Sequence, residues 1–240
     1  MVVKIRGWKD IWNEKIGNRT TQLTNSYLLK LNGYDSCSAK ITTKDWKKYT
    51  DFFIKKYKIT SSNSILDIGC GSGAFLLPFY KKKINCTGID YSNSLIKVCN
   101  KIMPKAKFYN TEAKNIKKLK KNKYDFIFLA SVLQYFPSSD YFKKVINGIK
   151  LLSDNNTKIF ILDIPDKKKF KNWKKYVVNN IGLRGYMMQY SALKHHSYNK
   201  ARLKNILKKE KFNVKIYDQK LLKKPNSKFR FNIFMEKNEN

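Results

Sequence analysis

The sequence predicts an α/β fold with a mostly parallel sheet and helices on both of its faces. Two observations support this fold class. From Asn63 onward, segments with strand patterns alternate with segments with helical patterns, which is typical of parallel sheets. The first strand also runs into a glycine-rich turn, ILDIGCGSG at residues 65–73, of the kind that joins a buried strand to a helix. At 240 residues, 42% of them hydrophobic, the chain is long enough to bury a substantial core.

Residues 1–60 are predicted to form an N-terminal helical cap over this core. Residues 8–31 carry apolar side chains at helical spacing, with an interruption near Gly17 and Asn18, and Gly33 ends the pattern. A second amphipathic helix follows Thr43, its predicted N-cap. Its aromatic side chains recur at helical spacing: Trp46, Tyr49, Phe52, Phe53 and Tyr57. Of these, Trp46, Phe52 and Phe53 are interpreted as core rather than as a substrate cage.

Residues 61–240 are predicted to form the core itself. Strands are expected at 64–68, 85–90, 106–109, 124–130 and 157–163, with helices near 73–81, 93–103, 139–152 and 199–210. Residues 212–218 and 228–236 are predicted to complete the sheet as an antiparallel pair. The segment at about 164–198 fits neither a strand nor a simple crossover, so it is predicted to be a lid over the site.

Composition excludes several classes of protein. No stretch approaches the roughly 20 apolar residues of a membrane span, and the N-terminus lacks the apolar centre of a signal peptide. The four cysteines are scattered without a CxxC pair or a nearby histidine: Cys37, Cys70, Cys86 and Cys99. These features predict a cytoplasmic protein with reduced thiols and no structural metal.

The formal charge of +34 has two interpretations. A basic surface favours nucleic acid, because binding releases phosphate counterions. However, only five of the 51 basic residues are arginine, the better bidentate phosphate ligand, and the lysines lie where helix and loop surfaces are expected. A solvated, compositionally biased surface is the simpler interpretation. In either case the field should attract anionic partners.

The strongest functional signal is the glycine turn together with the acid that follows it. Gly69, Gly71 and Gly73 let backbone approach a ligand, and Asp90, 21 residues after Gly69, is suited to accept hydrogen bonds from ribose hydroxyls. Glycines alone also occur in nicotinamide and flavin sites. Asp67 would repel a pyrophosphate but suits an ammonium and a sulfonium. The pattern resembles motif I of class I S-adenosylmethionine (SAM) methyltransferases, which have a Rossmann-like fold.

The resemblance covers roughly residues 60–237 and implies a set of SAM-binding residues. Asp67 would face the ammonium of SAM, Asp90 the ribose, and Tyr91 the adenine. Glu112 matches the acidic position near the adenine amino group, although relatives more often have aspartate there, and it could simply cap the next turn. The resemblance also implies backbone or packing contacts to the methionine part of SAM from Gly69, Cys70, Gly71, Gly73, Ala130 and Ser131. Of these, Cys70 is interpreted as a small buried filler rather than a reactive thiol.

A general base is expected only if the acceptor is a hydroxyl, whose proton must leave. The two histidines of the chain, His195 and His196, precede the predicted helix at 199–210, where relatives build part of the acceptor pocket. Histidine titrates near neutral pH, so either could act as the base, or both could simply bond the backbone before that helix. Gln134 and Tyr135 are predicted to line the cleft, and weaker candidates lie in the lid: Asp166, Tyr186 and Tyr190.

The predicted function is SAM-dependent methyl transfer to an oxygen of a small, anionic metabolite, with S-adenosylhomocysteine (SAH) as the product. The YNKARLKNILKKEKFNV passage at 198–214 resembles bacterial methyltransferases that act on small molecules. Two alternatives remain open: an RNA methyltransferase acting on a ribose or a ring nitrogen, and a noncatalytic partner subunit with the same fold. The ASVLQYF segment at 130–136 is not the NPPY-like tetrad of base-amino methyltransferases. The sequence does not predict the oligomeric state.

Overall fold

The computed structural model describes residues 7–14, 24–119, 123–191 and 195–238. Within these residues seven strands form one sheet with the order β3-β2-β1-β4-β5-β7-β6. All neighbouring strands are parallel except β7, which runs antiparallel to both β5 and β6. The strands are β1 Ser64–Ile68, β2 Asn85–Asp90, β3 Lys107–Asn110, β4 Phe126–Ala130, β5 Lys158–Pro165, β6 Phe212–Asp218 and β7 Arg230–Lys237. The predicted fold class, a mostly parallel sheet completed by an antiparallel pair, is confirmed.

Eight α-helices accompany the sheet in the described residues. They are α1 Trp8–Glu14, α2 Asn25–Leu31, α3 Thr43–Lys56, α4 Leu77–Lys81, α5 Asn93–Ile102, α6 Ser139–Leu152, α7 Phe170–Tyr186 and α8 Lys200–Lys209. None of the described helices is long and apolar enough to cross a membrane. The predicted interruption near Gly17 and Asn18 lies outside the described residues.

Two predicted helix starts were wrong, each for a local reason. The N-cap of α3 is Thr42 rather than Thr43, because extended Thr42 accepts a hydrogen bond from the Asp45 backbone N–H. Helix α4 begins at Leu77 rather than at residue 73, since Gly71 and Gly73 have positive φ angles that a right-handed helix does not allow. The glycine turn is therefore longer than predicted and leaves more backbone free to face a ligand.

The sheet separates two hydrophobic layers. On one face, α2, α3 and α4 pack aromatic side chains against the strands, with Phe53 of α3 in edge contact with Phe128 of β4 and Phe160 of β5. On the other face, α6 and α8 pack leucine, isoleucine and valine side chains. Trp46 and Phe53 are buried in the first layer, as predicted, and Phe52 packs against it partly buried. The first helices are thus built into the main core.

Two further elements lie at the carboxyl edge of the parallel strands. Helix α1 is held beside β2 and α5 because Ser92 Oγ donates to Trp12 O at 3.2 Å and Ser94 Oγ donates to Asn13 O at 2.9 Å. Helix α7 follows β5 and is kinked at Gly182, whose φ is +71°. Both elements contribute walls to the cavity described next.

Candidate active site

A cavity of about 460 Å³ opens at the carboxyl edge of the sheet, within the size range of small-molecule sites. The "loop end" is the part lined by Gly69, Gly71, Asp90 and Tyr91, which follow β1 and β2. The "far end" is lined by Trp8 of α1 and by residues that lie at or after the ends of β4 and β5, or at or before the start of β7: Ser131, Gln134, Tyr135, Asp163, Asp166, Phe170, Trp173, Tyr190, His195, His196, Lys224, Asn226, Phe229 and Arg230. The strand order places these two ends on opposite sides of β4.

The backbone of the glycine turn forms the floor of the loop end. Gly71 has a φ of +56°, and a Cβ placed there would overlap the side-chain oxygen of Asn32. That oxygen is fixed, since it accepts a hydrogen bond from Ser72 N at 2.8 Å. A Cβ at Gly69 would lie 2.6 Å from Val132 Cγ2. Glycine at both positions therefore leaves open a cradle that side chains would fill.

Asp90 forms the wall beside this cradle and is only 8% exposed. Its Oδ2 accepts from Gly71 N at 2.9 Å, and its Oδ1 accepts from Ser92 N at 2.8 Å. Burial raises the pKa of Asp90, while these backbone hydrogen bonds act in the opposite direction. Each carboxylate oxygen has a second lone pair, so the aligned carboxylate can still accept from two vicinal hydroxyls.

Asp67 lies behind the turn and does not line the cavity. It is 1% exposed, and its Oδ1 has no hydrogen-bond partner. Burial, and secondarily the charge of Asp90, raise the pKa of Asp67 to about 8. A buried carboxyl with an unpaired oxygen is costly, and a cationic ligand nearby would relieve that cost. These residues therefore fit a ligand that carries both a ribose and an ammonium group.

Other residues predicted to bind SAM occupy different positions. Tyr91, Ala130 and Ser131 line the cavity. Gly73 does not line it, and instead allows Met103 and Cys99 of the α5 region to pack closely on the turn. Cys70 is buried behind the cavity wall, and burial raises the pKa of its thiol. Glu112 does not line the cavity either, because it turns to the surface and pairs with Lys114 Nζ at 2.9 Å.

Both predicted histidines line the far end. The ring of His195 lies 4.5 Å from Trp8, 5.4 Å from Tyr135 and 5.6 Å from Tyr190, measured between ring centroids. Its Nδ1 has no hydrogen-bond partner among the residues that the structure describes. Burial, with added repulsion from nearby positive charge, lowers the pKa of His195 to about 4, so the ring is neutral at physiological pH. The backbone N–H of His196 donates to Gln134 O at 3.0 Å, which fixes this segment over the cavity.

The remaining candidates in this region differ in position. Gln134 and Tyr135 line the far end, and Gln134 Nε2 donates to Ser131 O at 2.7 Å. Tyr190 also lines it, whereas Tyr186 lies behind Tyr190, stacked on it at a centroid distance of 5.7 Å. Asp166 lines the cavity, but its carboxylate caps the following turn by accepting from Lys168 N and lies 3.4 Å from Lys200 Nζ.

Sequence reasoning missed a buried charged network in the far end. Asp163 lies near the end of β5 with a φ of +62°, and its Oδ2 accepts from Lys224 Nζ and from Ser131 Oγ, both at 2.6 Å. Tyr34 OH lies 2.9 Å from Ser131 Oγ. Burial acts to raise the pKa of Asp163, but the charges of Lys224 and Arg230 outweigh it and lower that pKa. In the sequence, the only signal for this network was Asp163, an acidic residue at the end of the apolar segment predicted as the fifth strand. Lys224 gave no signal, because it is one of many lysines.

The described residues contain no cluster of three or more histidine, cysteine, aspartate or glutamate side chains that could hold a metal ion. The sheet order, with the last strand inserted antiparallel between the fifth and sixth, is that of class I SAM-dependent methyltransferases. The loop end supplies a glycine cradle with Asp90 in its wall, and Asp67 is buried behind it. The described residues therefore have the fold of this class of methyltransferase, and the loop end fits SAM as the methyl donor. The chain belongs to the family described as "Methyltransferase domain", whose model matches residues 59–220.

Comparisons with individual proteins agree with this class. The chain is 43% identical over 63 residues to EEF1A lysine methyltransferase 2 of Mus musculus, a match that spans 26% of each protein. The chain thus spans about a quarter of the length of that curated relative.

Solved structures share the fold over most of the chain. A SAM-dependent methyltransferase from Clostridium acetobutylicum has a TM-score of 0.64 at 14% identity, covering 89% of this chain and 100% of that one. The plantazolicin methyltransferase BpumL, crystallised with SAH, has a TM-score of 0.58 at 21% identity, covering 81% and 83%.

Proposed function

We propose that this enzyme transfers the methyl group of SAM to an oxygen atom of a small, anionic metabolite bound in the far end of the cavity. One observation carries the proposal: the cradle at the loop end and the charged, aromatic far end are parts of one cavity. A donor held at Gly71 and Asp90 would point its reactive part past Ser131, toward the far end. The acceptor would then lie directly against the donor, and the methyl group would pass between them inside the cavity.

The walls of the far end favour a small acceptor. Trp8 comes from α1, Trp173 from α7 and Phe229 from the turn before β7, so three separate elements close around the space. We propose that residues 1–60 act as a cap and that the segment at 164–198 acts as a lid. Such enclosure excludes water and aligns the reactants, which is the main requirement for an in-line displacement.

His195 is the proposed general base. SAM supplies an activated methyl group on a sulfonium. If the acceptor is a hydroxyl, a proton must leave as the new bond forms, and Nδ1 of His195 is neutral, buried and without a partner. It can therefore accept that proton inside the cavity. An anionic acceptor is favoured by the net charge of +34, which raises the local concentration of anions around the molecule.

Isotope labelling tests the function directly. The enzyme would be incubated with methyl-labelled SAM and a small-metabolite extract, and labelled products would be identified by mass spectrometry. We expect a labelled anionic O-methyl product that is missing with Asp90→Asn, a variant designed to lose SAM binding. A labelled neutral product would refute the anionic acceptor, and label found only in protein or RNA would refute the small-molecule assignment.

RNA is the second candidate, and the +34 charge is the observation that favours it. Salt separates the two cases. RNA binding should weaken steeply as salt rises, because each neutralised phosphate releases a counterion, whereas SAM binding should hardly change. Methylation of total RNA that falls with salt while SAM affinity stays constant would support the RNA function. Calorimetric titration with SAM serves as the reference for both, and absence of SAM binding would refute both.

A further inference from the structure

We propose that the far end is built for an aromatic carboxylate, with the Arg230 guanidinium binding the carboxylate and the aromatic walls holding the ring. This inference rests on the proposed function, since it names the chemical class of the acceptor. It depends on three observations: the charge balance of the far end, its unsatisfied polar atoms, and the chemistry of its walls.

The charge balance leaves one cation in excess. Lys224 and Asp163 are both buried and pair at 2.6 Å, so their charges cancel. Asp166 faces Lys200 at 3.4 Å and caps a backbone turn. Arg230, in contrast, makes one guanidinium hydrogen bond in the described structure, from Nη1 to the neutral backbone oxygen of Asp163 at 3.3 Å.

The remaining carboxylates of the cavity wall do not neutralise Arg230. Asp90 is bound to backbone N–H groups at the loop end, and Asp35 is exposed to solvent. Arg230 is half-buried, and its positive charge contributes to the lowered pKa of both His195 and Lys224. Among the described residues Arg230 shares the Asp163 carboxylate with Lys224, so one positive charge in this half-buried region stays unbalanced. Such a guanidinium is suited to bind a further anion, and its planar fork matches a carboxylate.

Several buried polar atoms of the far end have no hydrogen-bond partner among the described residues, and two of them, on Trp173 and Asn226, lie in the lining of the cavity beside Arg230's segment of the wall. Trp173 is 8% exposed and its Nε1 has no acceptor, although an indole N–H can only donate. Asn226 is 3% exposed, and its Oδ1 has no donor. A ligand oxygen next to Trp173 and a ligand hydroxyl or amine next to Asn226 would satisfy both atoms.

The other walls of the far end are aromatic. Tyr135 and Trp8 lie edge to face, with centroids 4.8 Å apart, and Tyr190 packs edge to face on Trp173 at 5.2 Å. Phe170 and Phe229 also line the space. Aromatic faces and edges pack well on a flat ring, which fills such a space with little loss of conformational entropy. A carboxylate on a planar ring therefore matches the positive charge of Arg230, the N–H donor of Trp173 and the aromatic walls of the far end.

Binding of a simple aromatic acid tests the proposal. Para-hydroxybenzoate and its neutral analogue para-hydroxybenzamide would be titrated calorimetrically into the enzyme saturated with SAH. We expect the acid to bind at least about tenfold more tightly than the amide, because a charge-assisted hydrogen bond is stronger than a neutral one. Arg230→Gln should remove this preference, and Arg230→Lys should retain part of it. Trp173→Phe should weaken binding of both ligands, because both carry an oxygen that can accept from the indole N–H.

The control is Lys223→Gln, which makes the same change of charge at an exposed position next to Lys224. It should leave the preference for the acid unchanged. Unaltered SAM affinity in every variant would show that each one folds. Equal binding of acid and amide, no binding of either, or a preference that survives Arg230→Gln would overturn the inference.

Inorganic phosphate, titrated in parallel, identifies the anion. If phosphate binds with the same affinity as the acid, and this binding depends on Arg230, the acceptor is a phosphorylated molecule rather than a carboxylate. That result would overturn the proposal. Failure of the proposed function gives a different result. Arg230-dependent binding of the acid, with no labelled small molecule in the extract experiment, would refute methyl transfer to a small metabolite while leaving the anion site in place.

Discussion

Replacing Gly71 by alanine tests whether the glycine turn positions SAM. Gly71 has a φ of +56°, a conformation that costs an L-residue roughly 1–2 kcal/mol. The added Cβ would also overlap the side-chain oxygen of Asn32. That amide would have to move and release Ser72 N, which costs about 1 kcal/mol more. We therefore expect Gly71→Ala to lower the free energy of unfolding by about 2–3 kcal/mol.

SAM affinity should fall as well, because Gly71 N holds Asp90 Oδ2 at 2.9 Å and so fixes the carboxylate that we propose binds the ribose. If displacement of the Asp90 carboxylate costs about 1.4 kcal/mol of binding free energy, the Kd for SAM increases tenfold. The matched control is Gly182→Ala. Gly182 has a φ of +71°, but no heavy atom of the described structure lies within 4 Å of the position of its Cβ. Gly182→Ala should therefore show the backbone cost alone, with unchanged SAM affinity.

Urea denaturation would give the free energies of unfolding, and calorimetry would give the dissociation constants for SAM. A double variant, Gly71→Ala with Asn32→Ala, should recover the part of the loss that comes from crowding. Wild-type SAM affinity in Gly71→Ala, or an equal loss of affinity in Gly182→Ala, would refute the argument that the turn acts on the donor.

Three further predictions follow from buried ionisable groups. With a pKa of about 8, the Asp67 carboxyl is protonated at neutral pH. The ammonium group of SAM should lower that pKa, so SAM binding should release a proton. The release would be measured as a binding enthalpy that depends on the ionisation enthalpy of the buffer. If His195 is the base, kcat/KM should rise with pH through about 4 and stay level above it, rather than titrating near the usual ~6.5 of histidine. Lys224→Met should cost about 3–5 kcal/mol in urea denaturation because it leaves the buried Asp163 carboxylate without its nearest cation, and adding Asp163→Asn should restore part of that loss.

Each of these predictions has a contradicting result. Proton release that persists in Asp67→Asn would assign the proton to another group. Turnover that is unchanged in both His195→Ala and His196→Ala would remove the histidine base, whereas the hypothesis expects turnover to fall more than SAM affinity. If the losses in free energy of unfolding from Lys224→Met and Asp163→Asn simply add in the double variant, the two side chains do not stabilise each other.

The parts of the fold that follow from local patterns could be predicted from the sequence. Strand β6 has the predicted bounds, Phe212–Asp218, because its apolar residues alternate toward one face. Helix α6 also has the predicted bounds, since its apolar side chains recur at helical spacing and Ser138 caps it. Errors arose where backbone geometry overrides such patterns, as in the glycine turn that delays α4 to Leu77.

The same distinction applies to the site. Asp90 and Gly71 are joined by a short stretch of chain, and their spacing alone predicts the loop end. Asp163 and Lys224 are 61 residues apart and meet only because β7 is inserted beside β5. Glu112 shows the converse error, because it matches a familiar position in the sequence but forms an ion pair with Lys114 outside the cavity. Spacing along the chain carries information about a turn, but little about contacts made through tertiary packing.

Because β7 runs antiparallel to β5, residues from the C-terminal part of the chain line the far end, whereas the glycine turn comes from the N-terminal part of the sheet. The parallel strands contribute residues to the cavity where they end, whereas β7 contributes Arg230 where it begins, beside Pro165 at the end of β5. The connection at 219–229 therefore leads into the far end, where it contributes Lys224, Asn226 and Phe229 to the lining of the cavity. Exchange of this connection between related enzymes would change the accepted molecule while leaving the affinity for the donor intact, so new substrates can evolve on an unchanged SAM site.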